Sequence, residues 1–212
     1  MKKLLLSLLL LSFSVFGSEC PELYPNNTPI VVQGTTELCN SFFVSLYDNF
    51  HKRVILVSEH LKHGSIGTVE RVNQFHSDPR LFGHNPSPAQ YTDTGYDKGH
   101  MAPAGDASND KEMYETFAMT NMTPQKPTLN RESWRMLEES TRKLFSTSKS
   151  DMYIVNIAVY GNNEKMNGIP IPIGYWKIVS VDGMTKYYYA DNVDNGKVVQ
   201  KPPIALKSIL YK

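Results

Sequence analysis

The stretch Tyr96-Asp97-Lys98-Gly99-His100-Met101-Ala102-Pro103, with Asn130 thirty residues beyond His100, decides how this chain is read. An imidazole has an intrinsic pKa of ~6.5, so it accepts a proton from water near neutral pH. A carboxamide oxygen is a hard donor and suits Mg²⁺, which takes oxygen ligands and keeps several of its waters. A base for water and a grip on a cation are the parts that hydrolysis of a phosphodiester needs. The segment that follows, Met119-Thr120-Asn121-Met122-Thr123-Pro124-Gln125 and then Asn130 through Glu138, is dense in amides and carboxylates.

Outward from this centre the chain alternates strand and helix signals. Phe42 to Tyr47 and Val54 to Ser58 predict two strands joined by the polar turn Asp48-Asn49-Phe50-His51. His63 to Tyr96 reads as a long loop, punctuated by Gly64, Gly67, Pro79, Gly83, Pro86, Pro88 and Gly95. A loop that long inside a compact domain is usually functional or mobile. Downstream, Asn109 to Phe117 predicts a short helix with a polar cap. Arg131 to Phe145 predicts a stronger one, with Trp134, Leu137, Thr141, Leu144 and Phe145 at helical spacing. Asp151 to Tyr160 has a buried-strand pattern, and Tyr175 to Val181 with Met184 to Ala190 flank the hairpin signal Asp182-Gly183. The sum is an α+β fold with a mainly antiparallel central sheet flanked by helices. Asn130, Trp134 and Glu138 stand four apart, so they drift by ~40° per step and share a broad helical face. The plainer reading of Asn130 is a cap for the helix at Arg131.

The N-terminus carries a targeting signal. Lys2 and Lys3 precede an apolar run from Leu4 to Phe16, and Gly17 is small enough to border a cleavage point. Three parts are expected: a signal peptide at 1–17, a disulfide-stapled arm at 18–40, and the main domain at 41–212. After cleavage the product is exported to the periplasm or beyond, with no membrane anchor. Cleavage takes lysine plus arginine from 22 to 20 against 21 acids, leaving a charge of −1. A nearly neutral chain has no global field for anions, so anion binding needs a local patch. Cys20 and Cys39 make one even pair, read as a disulfide in an oxidising compartment rather than as two thiols or a zinc site.

The central stretch resembles the Asp-Arg-Gly-His-x-Ala-Pro signature of the DNA/RNA non-specific endonucleases, which are ββα-metal (His-Me finger) nucleases. Asn121-Met-Thr-Pro-Gln125 and Asn130-x-x-x-Trp134-x-x-x-Glu138 extend the likeness. So do Arg71-x-x-x-Phe75-x-x-Asp78-Pro79 upstream and Ile169-Pro-Ile-Pro with Tyr175-Trp176-Lys177 downstream, covering roughly residues 37 to 195. The resemblance implies a metal finger carrying His100 as general base, with Asn130 as the single protein ligand of Mg²⁺ or Mn²⁺. It further implies that Glu138 orients a water on that ion and that Arg71 holds the scissile phosphate. Asn121 and Gln125 order the site, with Lys98 and Gln125 counted toward substrate. Lys98 stands where the family has arginine; it keeps the charge and loses the bidentate fork.

The implied activity is hydrolysis of DNA and RNA to 5′-phosphate ends, without sequence preference, because the candidate groups address phosphate and metal rather than bases. Two other classes stay open: a catalytically silent nucleic-acid-binding or surface protein on the same scaffold, and a phosphodiesterase for small substrates. Asp97 reads as a structural hydrogen-bonding group and Trp134 as core. The histidines at 51, 60, 63, 76 and 84 read as surface groups, and Tyr187-Tyr188-Tyr189 as sheet packing before base stacking. The sequence names no inhibitor and no oligomeric state.

Overall fold

The structure, a computed structural model, describes residues 17–65, 69–161 and 163–210; the expected signal segment lies outside them except for Gly17. In chain order the strands are β1 (Thr36–Cys39), β2 (Phe43–Asp48), β3 (Arg53–Leu61), β4 (Asp97–His100), β5 (Met122–Gln125), β6 (Met152–Val159), β7 (Lys165–Met166), β8 (Ile169–Pro170), β9 (Gly174–Val181), β10 (Met184–Asp191) and β11 (Val199–Lys201). The helices are α1 (Asp110–Thr116), α2 (Arg135–Ser146) and α3 (Leu206–Leu210). Seven strands form one sheet in the order β1-β2-β3-β6-β9-β10-β11, and every neighbouring pair is antiparallel. This is the expected α+β architecture.

Period-2 alternation divides the sheet's faces. Val57, Leu61, Met152, Ile154, Ala158, Tyr175 and Val179 point to one side and pack with Trp134, Leu137 and Phe145, the apolar stripe of α2 and the turn before it. Leu56, Val155, Ile157 and Ile178 point to the other, where Ile30 and Val32 of the arm and Ile209 of α3 cover them. One face therefore carries the candidate chemistry and the other carries the chain ends. The hairpin turn between β9 and β10 has φ of 49° at Asp182 and 72° at Gly183. Positive φ at both central residues is the two-residue turn whose twist matches the flanking strands.

Several expectations are refined. The expected arm runs into the sheet: Thr36–Cys39 joins it as its edge strand, because Leu38 can bury in the same core as β2. The long loop contains two short 3₁₀ turns, Pro79–Leu81 and Pro88–Tyr91, each started by a proline that presets φ. The strong helix begins as a π turn over Leu129–Trp134 before α2 proper, so Asn130 lies inside the helical run instead of capping it. His60 is not a free surface group: its ring stacks on Tyr153 at 4.4 Å and its Nε2 meets Asp151 at 2.8 Å. The same carboxylate accepts from the backbone of His63 at 2.8 Å. His76 is half-buried against Tyr114 at 4.0 Å.

Candidate active site

Strands β4 and β5 form a separate two-stranded ladder, with Asp97 opposite Gln125 and His100 opposite Met122. With the helical run Leu129–Ser146 they make a ββα finger laid against the large sheet. The finger is pinned from below: Tyr175 of β9 donates to the Pro124 carbonyl at 3.0 Å and accepts from Thr123 at 3.1 Å. Gly99 is dictated by this packing, since a Cβ there would lie 2.3 Å from Gln125 Oε1 and 2.6 Å from its Cβ. The close approach seats Gln125 under β4 with 1 % of its surface exposed. It has no access to substrate, which corrects the expectation that it binds one.

Asn121 is fully buried behind His100. Its side chain clamps the chain just past the histidine, accepting from Ala102 N at 2.8 Å and donating to Ala102 O at 2.9 Å and Thr116 O at 2.8 Å. That is a positioning arrangement for a residue expected among the catalytic ones. The imidazole is walled by aromatics, with Phe117 edge-on at 4.9 Å and Phe75 at 5.8 Å. Its Nε2 is buried and has no hydrogen-bond partner. Burial, aided by the Arg71 guanidinium, lowers the His100 pKa to about 3, so the ring is neutral and ready to accept a proton.

His100 lines a cleft of about 360 Å³ shared with Arg71, Lys98, Asn130 and Glu138. These residues arrive from the long loop, β4, the π turn and α2. Asp97 organises the near side: its carboxylate accepts from Asn130 Nδ2 at 2.9 Å and from Arg131 Nε at 2.8 Å. Holding the amide nitrogen fixes which end of Asn130 is spent on the protein and leaves the carbonyl oxygen as the donor on offer. Lys98 Nζ sits over the rings of Phe75 at 5.0 Å and Tyr91 at 5.6 Å. Its ammonium is therefore placed by cation–π contact, a substitute for the fork it lacks. Burial pushes the Glu138 carboxyl up to about 7; the Lys177, Arg142 and Arg71 cations oppose that rise and Asp106 adds to it.

The rim supplies the local patch that the neutral chain required. Arg71, Lys98, Arg131, Arg135 and Arg142 line the cleft against only two carboxylates, Glu138 and Glu139. Positive walls around a neutral base and hard oxygen donors define a hydrolytic site for phosphate esters.

Sequence reasoning gave no role to Glu59, Asn156 and Lys177, three polar residues fully buried in the sheet. They interrupt strand patterns whose neighbours are core, and a charge inside a buried-strand pattern was the available signal. It also missed the role of Asp78, 2 % exposed, whose carboxylate accepts from Arg80 and from Thr120 at 2.8 Å. One further cluster has metal-ligand spacing among the described residues: Cys20, Glu37 and Cys39. The two sulfurs are bonded to each other, as expected, and Glu37 takes Ser18 and Tyr24, so this is a structural knot.

The comparisons agree with this geometry. The model of the DNA/RNA non-specific endonuclease family matches residues 22–205, and the chain belongs to that family. Nuclease C1 of Cunninghamella echinulata var. echinulata is 30% identical over 209 residues, spanning 85% of this chain and 81% of its own. A nuclease of Nostoc sp. is 35% identical over 139 residues, 64% of this chain, and the match spans only half of that protein. Among solved structures, one from the EndoG/EndoGI complex superposes with a TM-score of 0.72, covering 82% of this chain and 83% of its own at 24% identity. That likeness shows the shared ββα fold.

Proposed function

We propose that this chain is an exported, Mg²⁺-dependent, sugar-non-specific endonuclease that hydrolyses DNA and RNA. The observation that carries the reading is the convergence of His100, Asn130, Arg71 and Glu138 on one cationic cleft from three separate segments: the long loop, β4 and the helical run Leu129–Ser146. The His100 imidazole takes a proton from water, and the resulting hydroxide attacks phosphorus as the bond to the 3′ oxygen breaks, leaving a 5′-phosphate. Arg71 neutralises charge that grows on the phosphoryl oxygens. The imidazole's low proton affinity in the free protein comes partly from Arg71, so a phosphate docked on that guanidinium restores basicity when it is needed.

The donor set fits a hard divalent cation: the Asn130 carbonyl oxygen would hold it and Glu138 would order water beside it. When bound, Mg²⁺ supplies Lewis-acid polarisation of the phosphate and stabilises the leaving oxygen. Arg131 and Arg135, with more than half of each side chain exposed, extend positive charge along the rim. A track longer than one phosphate favours a polymer over a small diester. The Cys20–Cys39 bond supports export, because such bonds persist in oxidising compartments.

The test is a plasmid-nicking and RNA-digestion assay with wild type and His100→Ala, with chelator and with Mg²⁺ restored. Expected are cutting by wild type, loss in chelator, recovery with Mg²⁺, and a fall in turnover of ~10²–10⁴ for the variant. Unimpaired cutting in excess chelator, or by His100→Ala, overturns the reading.

A further inference from the structure

Four arginines line the cleft, and three of them are tied to a carboxylate: Arg131 to Asp97 at 2.8 Å, Arg142 to Asp106 at 3.0 Å, and Arg135 to Glu139. A guanidinium paired in this way has part of its charge answered by the protein before any phosphate arrives. Arg71 is the exception. It makes no ion pair among the described residues, and Glu138 acts on it only through space. Its Nε donates instead to the side-chain oxygen of Asn73, at 2.9 Å. Its Cζ stands over the ring of Phe117 at 5.2 Å. Phe117 is fully buried and meets the His100 ring edge-on at 4.9 Å, so one ring carries the arginine and backs the imidazole. The loop is moored beside them: His76 N donates to the Phe117 carbonyl at 3.2 Å, and Met119 N to that of His76 at 2.8 Å. Asn73 lies between that mooring and Arg71.

The chemistry of the acceptor supplies the reason for it. A guanidinium carries its N–H donors in a rigid planar fork. With Nε given to Asn73, the Nη1 and Nη2 donors remain, and that end of the fork matches two oxygens of one phosphate. An amide oxygen fixes the direction of the fork yet bears no charge, so it orients the cation without neutralising it. A carboxylate at the same place would do the first and undo the second. We propose that Asn73 is a positioning residue for the nuclease reaction: its side-chain oxygen and the face of Phe117 aim the Nη1–Nη2 end of Arg71 into the cleft and leave its charge for the scissile phosphate. The inference rests on the nuclease reading and adds to it how the phosphate-holding arginine is aimed. A contact that merely stiffened the loop would depend neither on Arg71 nor on the charge at position 73, and that difference is measurable.

The experiment measures kcat, KM, the salt dependence of KM and the melting temperature on plasmid with Mg²⁺. It compares wild type, Asn73→Ala, Asn73→Asp, Arg71→Lys and the paired Arg71→Lys/Asn73→Ala, with His100→Ala alongside. Expected for Asn73→Ala is a kcat about five- to tenfold lower, the worth of one exposed hydrogen bond to a charged group, with KM within about twofold. Its melting temperature stays that of wild type, because the Arg71–Asn73 pair is exposed. Lysine has no fork to aim, so removing Asn73 from Arg71→Lys lowers kcat by less than about twofold more. Asn73→Asp keeps an acceptor but offsets the charge: KM rises about fivefold, and the slope of log KM against log salt becomes shallower by about one. A wild-type kcat in Asn73→Ala overturns the inference. So does the same loss in the Arg71→Lys background, an unaltered salt slope in Asn73→Asp, or a loss that follows melting temperature. The salt-slope arm needs no activity from Arg71→Lys, so it decides where that background is too slow to assay. Wild type that leaves plasmid intact sinks the nuclease reading and this one together. Active wild type, inactive His100→Ala and unchanged Asn73 variants sink this one alone.

Discussion

At the residue scale the two titrating side chains of the cleft are displaced in opposite directions. His100 is held low, to about 3, by burial and by Arg71, whereas Glu138 is raised to about 7 by burial. The neutral ring is favoured in the fold, so its contribution to stability is present above ~pH 6.5 and fades as pH falls toward 3. The protonated acid is favoured in the fold, so its contribution is present below ~pH 4.5 and lost as pH rises through 7. Two outcomes follow from these signs. The acid limb of kcat/KM belongs to Glu138 and not to the histidine, and because a bound cation favours the carboxylate, raising Mg²⁺ moves the limb to lower pH; a limb unmoved by Mg²⁺ contradicts this. Glu138→Gln removes most activity yet melts higher than wild type at pH 8, with the gap closing near pH 4.5; equal melting curves at pH 8 contradict it. His100, Asn130, Arg71 and Glu138 were legible in the sequence because their types match the chemistry at the right order. The shifts were not, because desolvation depends on neighbours that fold in from elsewhere.

At the element scale the finger is a β ladder and a helix laid on the large sheet, and within the ladder a particular close fit sets the approach of the two strands. Gly99→Ala forces a Cβ into Gln125 and pries β4 from β5. Overpacking of this kind destabilises by roughly 1–3 kcal/mol. The expected result is a lower melting temperature together with reduced activity, since the same strand ends in His100; an unchanged melting curve would show that the ladder yields freely. The helix was legible from its spacing, but its first turn was not. A 3.6-residue period places Asn130, Trp134 and Glu138 on a drifting face. The wider π turn at Leu129–Trp134 instead sends Trp134 into the core, 2 % exposed beside Tyr175, while Asn130 and Glu138 both line the cleft. Such turns occur mostly as single-turn insertions inside α-helices, frequently at functional sites.

At the scale of the whole molecule the N-terminal staple reaches the catalytic finger. Arg80 donates to the Cys39 carbonyl at 2.7 Å and to Asp78, whose carboxylate also takes Thr120, the neighbour of the Asn121 clamp. Opening the Cys20–Cys39 bond releases a loop of about twenty residues and is expected to cost roughly 3 kcal/mol in the chain-entropy model. Thermal melts with and without reductant measure this, and specific activity in the same samples reports whether the loosening reaches His100; equal values in both states remove the link. What the sequence determined alone is whatever depends on local pattern and residue type: strand alternation, the Asp182-Gly183 turn, the cysteine pair, and which side chains can take a proton or hold a cation. Only the tertiary structure decided which of them meet. It buried Gln125 away from substrate, set Asp97 to orient Asn130, and ran Glu59, Asn156 and Lys177 under the cleft from three strands lying far apart along the chain. Those placements come from register and packing between distant segments, where burial sets the strength of every charge, and no local window of residues contains that information.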